Sequence, residues 1–221
     1  MLRCRGVRYP RRPRRRPGGR VLRIDAAGSL LALAQTRAAS EGLANIEFRH
    51  GDATCTGLPD GRFDAAACVF GVFFATDMTA FAAEMWRLVR PGGLLAITTW
   101  GPGLFEPASS HFWDCVAEMD PALVRAFNPW DEITTEAALT DLFLHAGVPP
   151  PDIAMAAGQH HLKHPDRFWD IVLGSGYRAT TDALTPGQQA ELRDRLLRRL
   201  RAAEITALRT DVIFGTAQRR G

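Results

Sequence analysis

One stretch constrains this chain more than any other. Between Val21 and Asp52 the text runs VLRID, then AAG, then SLLALAQTRAAS, then NIEFRHGD. VLRID is a β-rich run that ends in an acid. Leu30, Leu31, Ala34 and Ala38 then recur at helical spacing, and Gly42 stops the helix. Ile46 and Phe48 alternate with polar neighbours, so the next run reads as a second strand, ending at Asp52. Two strands joined by a helix must run parallel, because the crossover returns the chain to the end from which it started.

The same grammar continues. FDAAACVFGVFF is nearly all apolar, as expected of a central parallel strand buried on both faces. MTAFAAEMWRLVR places Phe81, Met85 and Leu88 on one helical face, and the PGG at Pro91–Gly93 closes it. LLAITTW is a fourth strand. The pattern predicts an α/β chain with a doubly wound, mostly parallel sheet. Downstream, ASSHFWDCVAEMD and TTEAALTDLFLHAGV read as helices, the second with Thr134 or Thr135 as N-cap and Gly147 as its stop. DIAMAAGQHHLK reads as one strand and PDRFWDIVLGSG as a helix and turn. TPGQQAELRDRLLRRLRAA is an amphipathic helix with Leu192, Leu196, Leu197 and Leu200 on one stripe. ITALRTDVIFGTAQR closes the sheet as an antiparallel last strand, alternating at Val212 and Phe214.

Charge separates two regions. Residues 1–20 hold nine arginines and no acid, which leaves 18 basic against 24 acidic residues in the body. An acidic body argues against nucleic acid as the main partner. Residues 1–16 are rich in arginine and proline without apolar periodicity, and are expected to be disordered. The division is therefore 1–16 as a tail and 17–221 as one domain, with a helical insert at about 102–146 on its substrate side. Cys4, Cys55, Cys68 and Cys115 form no CxxC pair and read as reduced thiols of a cytoplasmic protein. No apolar run is long enough for a membrane span.

Ligands of doubly wound sheets sit at the carboxyl ends of the strands. Asp25 and Asp52 stand at such ends. Asp25 can accept hydrogen bonds from both hydroxyls of a ribose, and Asp52 from an exocyclic adenine amine. Taken singly, Asp25 is as well explained as an N-cap aspartate, and Asp52 has a turn aspartate as its alternative. Their position on adjacent strands favours an adenosine pocket.

The whole run from GGRVLRID through NIEFRHGDA and FDAAACVFG to RLVRPGGLLAITTWGP resembles the class I S-adenosylmethionine-dependent methyltransferases, of the small-molecule type that includes the ubiquinone and menaquinone methylases. The resemblance implies that S-adenosyl-L-methionine is the cofactor and a small molecule the methyl acceptor, with no membrane partner. It implies a cofactor site of Asp25, Ala26, Leu30, Asp52, Ala53, Phe70 and Gly71. Leu30 would pack on adenine, Asp52 and Ala53 would meet its amine, and Phe70 and Gly71 would lie where cofactor and acceptor meet. Asp64 would be structural. No catalytic base and no metal are implied, since the cofactor carries the reactivity and the protein aligns the reactants.

The chain departs from the family at its start. The family's first strand and glycine-rich loop should precede GGRV, and arginine–proline text stands there instead. That strand lies mid-sheet in the family, so the sheet is expected to be N-terminally incomplete. A shifted reading frame in a GC-rich gene would produce such text. The alternative function is a methyltransferase-fold protein that binds no cofactor; a further alternative is a nucleic-acid binder acting through the arginine tail. His160, His161 and His164 in HHLKH could suggest metal ligands but read better as a solvated strand end. His111, Phe112, Trp113, Phe127 and Trp130 are equally compatible with an apolar acceptor wall and with packing, whereas Phe168 and Trp169 read as core.

Overall fold

The computed structural model describes residues 18–124 and 128–221. The tail 1–16 lies outside them. The first strand–helix–strand unit forms where the sequence places it. β1 (Val21–Asp25) and β2 (Ile46–His50) pair in parallel, with Val21 opposite Ile46 and Asp25 opposite His50. α1 (Gly28–Ser40) makes the crossover and turns Leu31 and Ala38 inward. β2 stops at His50, so Asp52 lies in the turn beyond the ladder.

β3 (Phe63–Val69) and β4 (Val89–Trp100) also pair in parallel, joined by α2 (Met78–Leu88). The Asp77 side chain accepts the Ala80 N–H at 2.8 Å and caps α2. That helix ends at Leu88, and β4 begins at once, taking Pro91–Gly93 into the strand rather than leaving them as a stop. The register shows how: Phe63 faces Val89 and Ala65 faces Leu94, so residues 90–93 bulge out against Asp64. Only glycine fits there. A Cβ on Gly93 would lie 2.7 Å from the Asp64 carbonyl oxygen and 2.7 Å from a Val89 methyl. Arg90 clamps the bulge through its guanidinium, 2.6 Å from the Asp64 carboxylate.

β8 (Val212–Gln218) runs antiparallel to β4 on one side and to β5 (Asp152–Ala156) on the other, giving the order β3-β4-β8-β5. The last strand is thus the antiparallel one, and the mixed α/β, Rossmann-like sheet is as the sequence predicts. Among the described residues β1 pairs with β2 alone and β3 with β4 alone. The expectation that β3 is buried on both faces is corrected. Ala65, Ala67 and Val69 share one face of the strand and are exposed, Val69 by 65%, so that face is uncovered; among the described residues β3 is also an edge strand.

Two expected long strands are each broken at one place. DIAMAAGQHHLK divides into β5 and β6 (Gln159–His161), and ITALRTDVIFGTAQR into β7 (Ala207–Arg209) and β8. At the break Gly158 donates its N–H to the Asp211 carboxylate at 2.9 Å and accepts from the Thr210 N–H at 2.9 Å. A Cβ on Gly158 would stand 2.1 Å from the Thr210 oxygen. Both chains leave the main sheet together there and pair as a separate β6–β7 ribbon. The remaining helices are α3 (Ala108–Met119), α4 (Glu136–His145), α5 (Phe168–Gly174), α6 (Arg178–Thr181) and α7 (Pro186–Ala202); α4 packs beside α2, β5 and β8, and α3 packs on α7. Thr135 caps α4, and Thr185 with Gln188 forms a capping box on α7. Leu192, Leu196, Leu197 and Leu200 are buried as the stripe predicts, and Glu118 of α3 bridges Arg195 and Arg199 across the two helices.

Candidate active site

The carboxyl ends of β1 and β2 bring Asp25 and Asp52 to the same edge. Asp25 closes β1 with its carboxylate about 29% exposed. One oxygen accepts the Ala27 N–H at 3.0 Å, which shapes the turn into α1 without capping it; the helix N-cap is Ala27 itself. The other oxygen meets Arg23 only at 3.5 Å and keeps acceptor capacity. Ala26 offers its carbonyl to the His50 ring at 3.0 Å, tying the first turn to the end of β2. Leu30 is 53% exposed on the first turn of α1, an apolar side chain in water on the helix that follows Asp25. Asp52 is exposed. Its Oδ1 accepts both the Thr54 N–H at 2.8 Å and the Thr54 hydroxyl at 2.7 Å, which hold its carboxyl below the usual range; among the described residues Oδ2 has no hydrogen-bond donor. Ala53, half-buried, packs against the core.

The loop carrying Asp52 and Ala53 is fixed from beneath by Glu84. Its carboxylate accepts the Thr56 N–H at 3.0 Å and hydroxyl at 2.6 Å, and takes two hydrogen bonds from the Arg87 guanidinium at 2.7 and 2.8 Å. Arg87 also donates to the Leu58 carbonyl and to Asp60. The Arg87 hydrogen bonds, with those of Thr56, hold the Glu84 carboxyl down to about 2. Sequence reasoning missed this clamp, since a Glu and an Arg three apart on a helix read as an ordinary solvated pair.

At the ends of β3 and β4 the structure brings Phe70 and Trp100 together. Their rings stack at 3.9 Å with an interplanar angle of 17°. Phe70 has a φ of 53°, a left-handed conformation that costs a non-glycine residue roughly 1–2 kcal/mol. Its N–H donates to the Thr98 carbonyl at 3.0 Å, which together with the stack holds the ring over the strand ends. Gly71 follows; a Cβ there would press to 3.1 Å from the Cys68 sulfur. Cys68 is buried, and burial pushes its thiol up to about 11, so it remains a neutral packing group. Phe105, also left-handed at φ 64°, adds a third ring 6.4 Å from Trp100. The signal for Trp100 was present in the sequence as the last residue of the fourth strand.

The aromatic insert is largely packing. Phe112 is fully buried and stacks on Tyr177 at 4.9 Å, and Trp130 is buried beside the same ring. The Tyr177 hydroxyl and the Ser109 hydroxyl are hydrogen-bonded at 2.7 Å; burial pushes the phenol up to about 12. His111 and Trp113 are half-buried, and Phe127 lies outside the described residues. Phe168 and Trp169 are core. Among the described residues no group of three histidine, cysteine or acidic side chains could hold a metal ion, and no helix is long and apolar enough to cross a membrane.

Five comparisons bear on this geometry. A methyltransferase domain family model matches residues 4–97. A demethylmenaquinone methyltransferase of Deinococcus radiodurans is 38% identical over 176 residues, covering 78% of this chain and 64% of that one. The nocamycin O-methyltransferase of Saccharothrix syringae is 29% identical over 171 residues, 77% of this chain and 55% of that one. The chain thus spans less than two thirds of the length of these curated relatives. Among solved structures, a Bacillus halodurans protein assigned as a methyltransferase superposes with a TM-score of 0.57 at 15% identity, over 92% of this chain and 84% of that one. A phosphoethanolamine N-methyltransferase of Haemonchus contortus, solved in complex with S-adenosyl-L-methionine, superposes with a TM-score of 0.50 at 18% identity, over 91% of this chain and 44% of that one. The structural likenesses establish the fold.

Proposed function

We propose that the chain is a class I S-adenosylmethionine-dependent methyltransferase, a reading supported by the family model and the methyltransferase relatives it matches, and that it transfers a methyl group from S-adenosyl-L-methionine to a small, planar, apolar acceptor. The observation that carries the reading is the pair Asp25 and Asp52. They stand at the ends of neighbouring parallel strands, Asp25 closing β1 and Asp52 in the turn after β2; among the described residues the second oxygen of Asp25 meets only Arg23, at 3.5 Å, and that of Asp52 has no hydrogen-bond donor. The donor set fits the nucleoside end of the cofactor: Asp25 toward the ribose hydroxyls, Asp52 and Ala53 toward the adenine amine, and exposed Leu30 toward the base. Ala26, through its carbonyl contact with His50, holds the turn that aims Asp25.

When bound, the cofactor supplies an electrophilic methyl on sulfur. The work of this chain is alignment. Phe70 and Gly71, beside Trp100, form the floor on which reactants would be brought together. The Phe70–Trp100 stack offers a flat apolar face of the kind that suits an aromatic acceptor. That the Deinococcus relative acts on demethylmenaquinone supports the same acceptor class. Because the cofactor carries the reactivity, an acceptor with its own nucleophilic atom, such as a phenolate or quinol oxygen or an adjacent carbon, needs no dedicated base.

The test is methyl transfer from tritiated S-adenosyl-L-methionine to a demethylated naphthoquinol, by the native chain and by Trp100→Leu. Transfer whose acceptor KM rises in the variant, with cofactor binding unchanged, supports the reading. Absence of transfer to any quinol, phenol or amine acceptor contradicts it. A second reading rests on another observation: among the described residues nothing stands between β1 and β3 to cradle the methionine end. That favours the alternative of a fold that binds no cofactor, and direct titration separates the two.

A further inference from the structure

The ribbon formed by β6 and β7 carries a cleft of about 610 Å3, between β6 and the turn that leads into α5. Its polar lining is His160, His161, Lys163, His164, Arg167 and Asp170. Half of the chain's six histidines are here, and Lys163 is its only lysine. The acids nearby are already engaged. Asp170 pairs with Arg167 at 3.0 Å, and Asp166 is gripped by two nitrogens of Arg201, at 2.8 and 2.5 Å. Among the described residues the side chains of Lys163, His160 and His161 make no hydrogen bond or ion pair. The cleft therefore presents an ammonium and imidazole N–H donors with no protein acceptor of their own.

Three histidines suggest a metal first, but among the described residues no three potential ligands approach closely enough to hold one. What remains is donors and positive charge, which match an anion. The volume is that of a small-molecule site. The acidic body around it disfavours a polyanion. We propose that this cleft binds a phosphate dianion, free or as the monoester of a small molecule. Lys163 supplies the fixed charge, and the imidazoles direct hydrogen bonds to the terminal oxygens. A phosphate has three such oxygens and two charges, whereas a carboxylate would leave donors unused. This inference is independent of methyl transfer.

The whole chain is titrated calorimetrically with inorganic phosphate and with glycerol 3-phosphate at constant ionic strength. Native protein, Lys163→Met and Arg37→Met are compared, the last as a cation on exposed α1 far along the sequence. Thermal melting checks that each variant is folded. Saturable binding, about tenfold weaker in Lys163→Met and unchanged in Arg37→Met, supports the site; loss of one charge-assisted hydrogen bond is of that size. Tighter glycerol 3-phosphate than inorganic phosphate identifies a phosphorylated small molecule as the source, and the reverse order identifies free phosphate. No saturable binding at tens of millimolar, or equal binding by Lys163→Met, overturns the proposal.

Discussion

Replacing Glu84 by glutamine removes one charge from the clamp beneath the Asp52 loop while keeping its shape. The native carboxylate takes four hydrogen bonds, two from Thr56 and two from Arg87, with only 12% of its side chain exposed. The amide can still accept from Thr56, but one of its ends must then point a donor at Arg87. The magnitude follows from linkage. The folded carboxyl titrates at about 2, and an unfolded glutamate titrates at about 4.3. A lowered folded pKa contributes stability that is fully present above the unfolded value and is lost as pH falls toward the folded one. That contribution is about 3 kcal/mol at pH 7 and about 1.4 kcal/mol at pH 3. The assay is urea unfolding of native chain and Glu84→Gln at both pH values. The native protein should be the more stable at pH 7 by 2–3 kcal/mol, on the order of 10 °C in melting temperature. The gap should narrow by about 1.5 kcal/mol at pH 3. A gap that stays constant from pH 7 to pH 3 would refute the clamp, because an uncharged contact has no reason to weaken over that interval.

Two further changes test the packing. Gly93→Ala should cost at least about 2 kcal/mol in chemical denaturation, because its Cβ would fall 2.7 Å from the Asp64 oxygen inside the β4 bulge; a loss below 0.5 kcal/mol on the order of experimental error would mean that the bulge is looser than described. Tyr177→Phe should destabilise by about 1–2 kcal/mol, since it strands the Ser109 hydroxyl in a buried aromatic surround. Ultraviolet titration should also lose a phenol that ionises only near pH 12 in the native chain.

Most of the parallel architecture could be read because it rests on local signals. The helical spacing of Leu31 and Ala38, the capping of α4 by Thr135 and the leucine stripe of α7 each need only neighbours in sequence. The departures arise where a distant residue decides. DIAMAAGQHHLK is strand-like throughout, and it breaks only because Thr210 lies against Gly158. Pro91–Gly93 carries the usual marks of a helix stop, yet its place in the strand depends on Asp64, 26 positions from its partner Arg90. β3 has the composition of a doubly buried strand, and one of its faces is uncovered among the described residues because burial belongs to the sheet and not to the strand. The site divides in the same way. Asp25 and Asp52 were legible as acids at strand ends, and Phe70 and Gly71 as the end of the third. The Phe70–Trp100 stack and the Glu84 clamp were not, since each joins residues about 30 positions apart. His160, His161 and His164 read correctly as exposed, and only the fold reveals the cleft they share with Lys163.

The central claim is that Asp25 and Asp52 hold the adenosyl end of S-adenosyl-L-methionine. Calorimetric titration with S-adenosylhomocysteine tests it most directly, because the product is stable and needs no acceptor. The account predicts saturable binding in the micromolar range to the native chain. Asp25→Asn should weaken it by about tenfold or more, the loss of a charge-assisted hydrogen bond to a ribose hydroxyl. Absence of binding, or binding that Asp25→Asn and Asp52→Asn both leave unchanged, would contradict it and favour a fold kept without its cofactor.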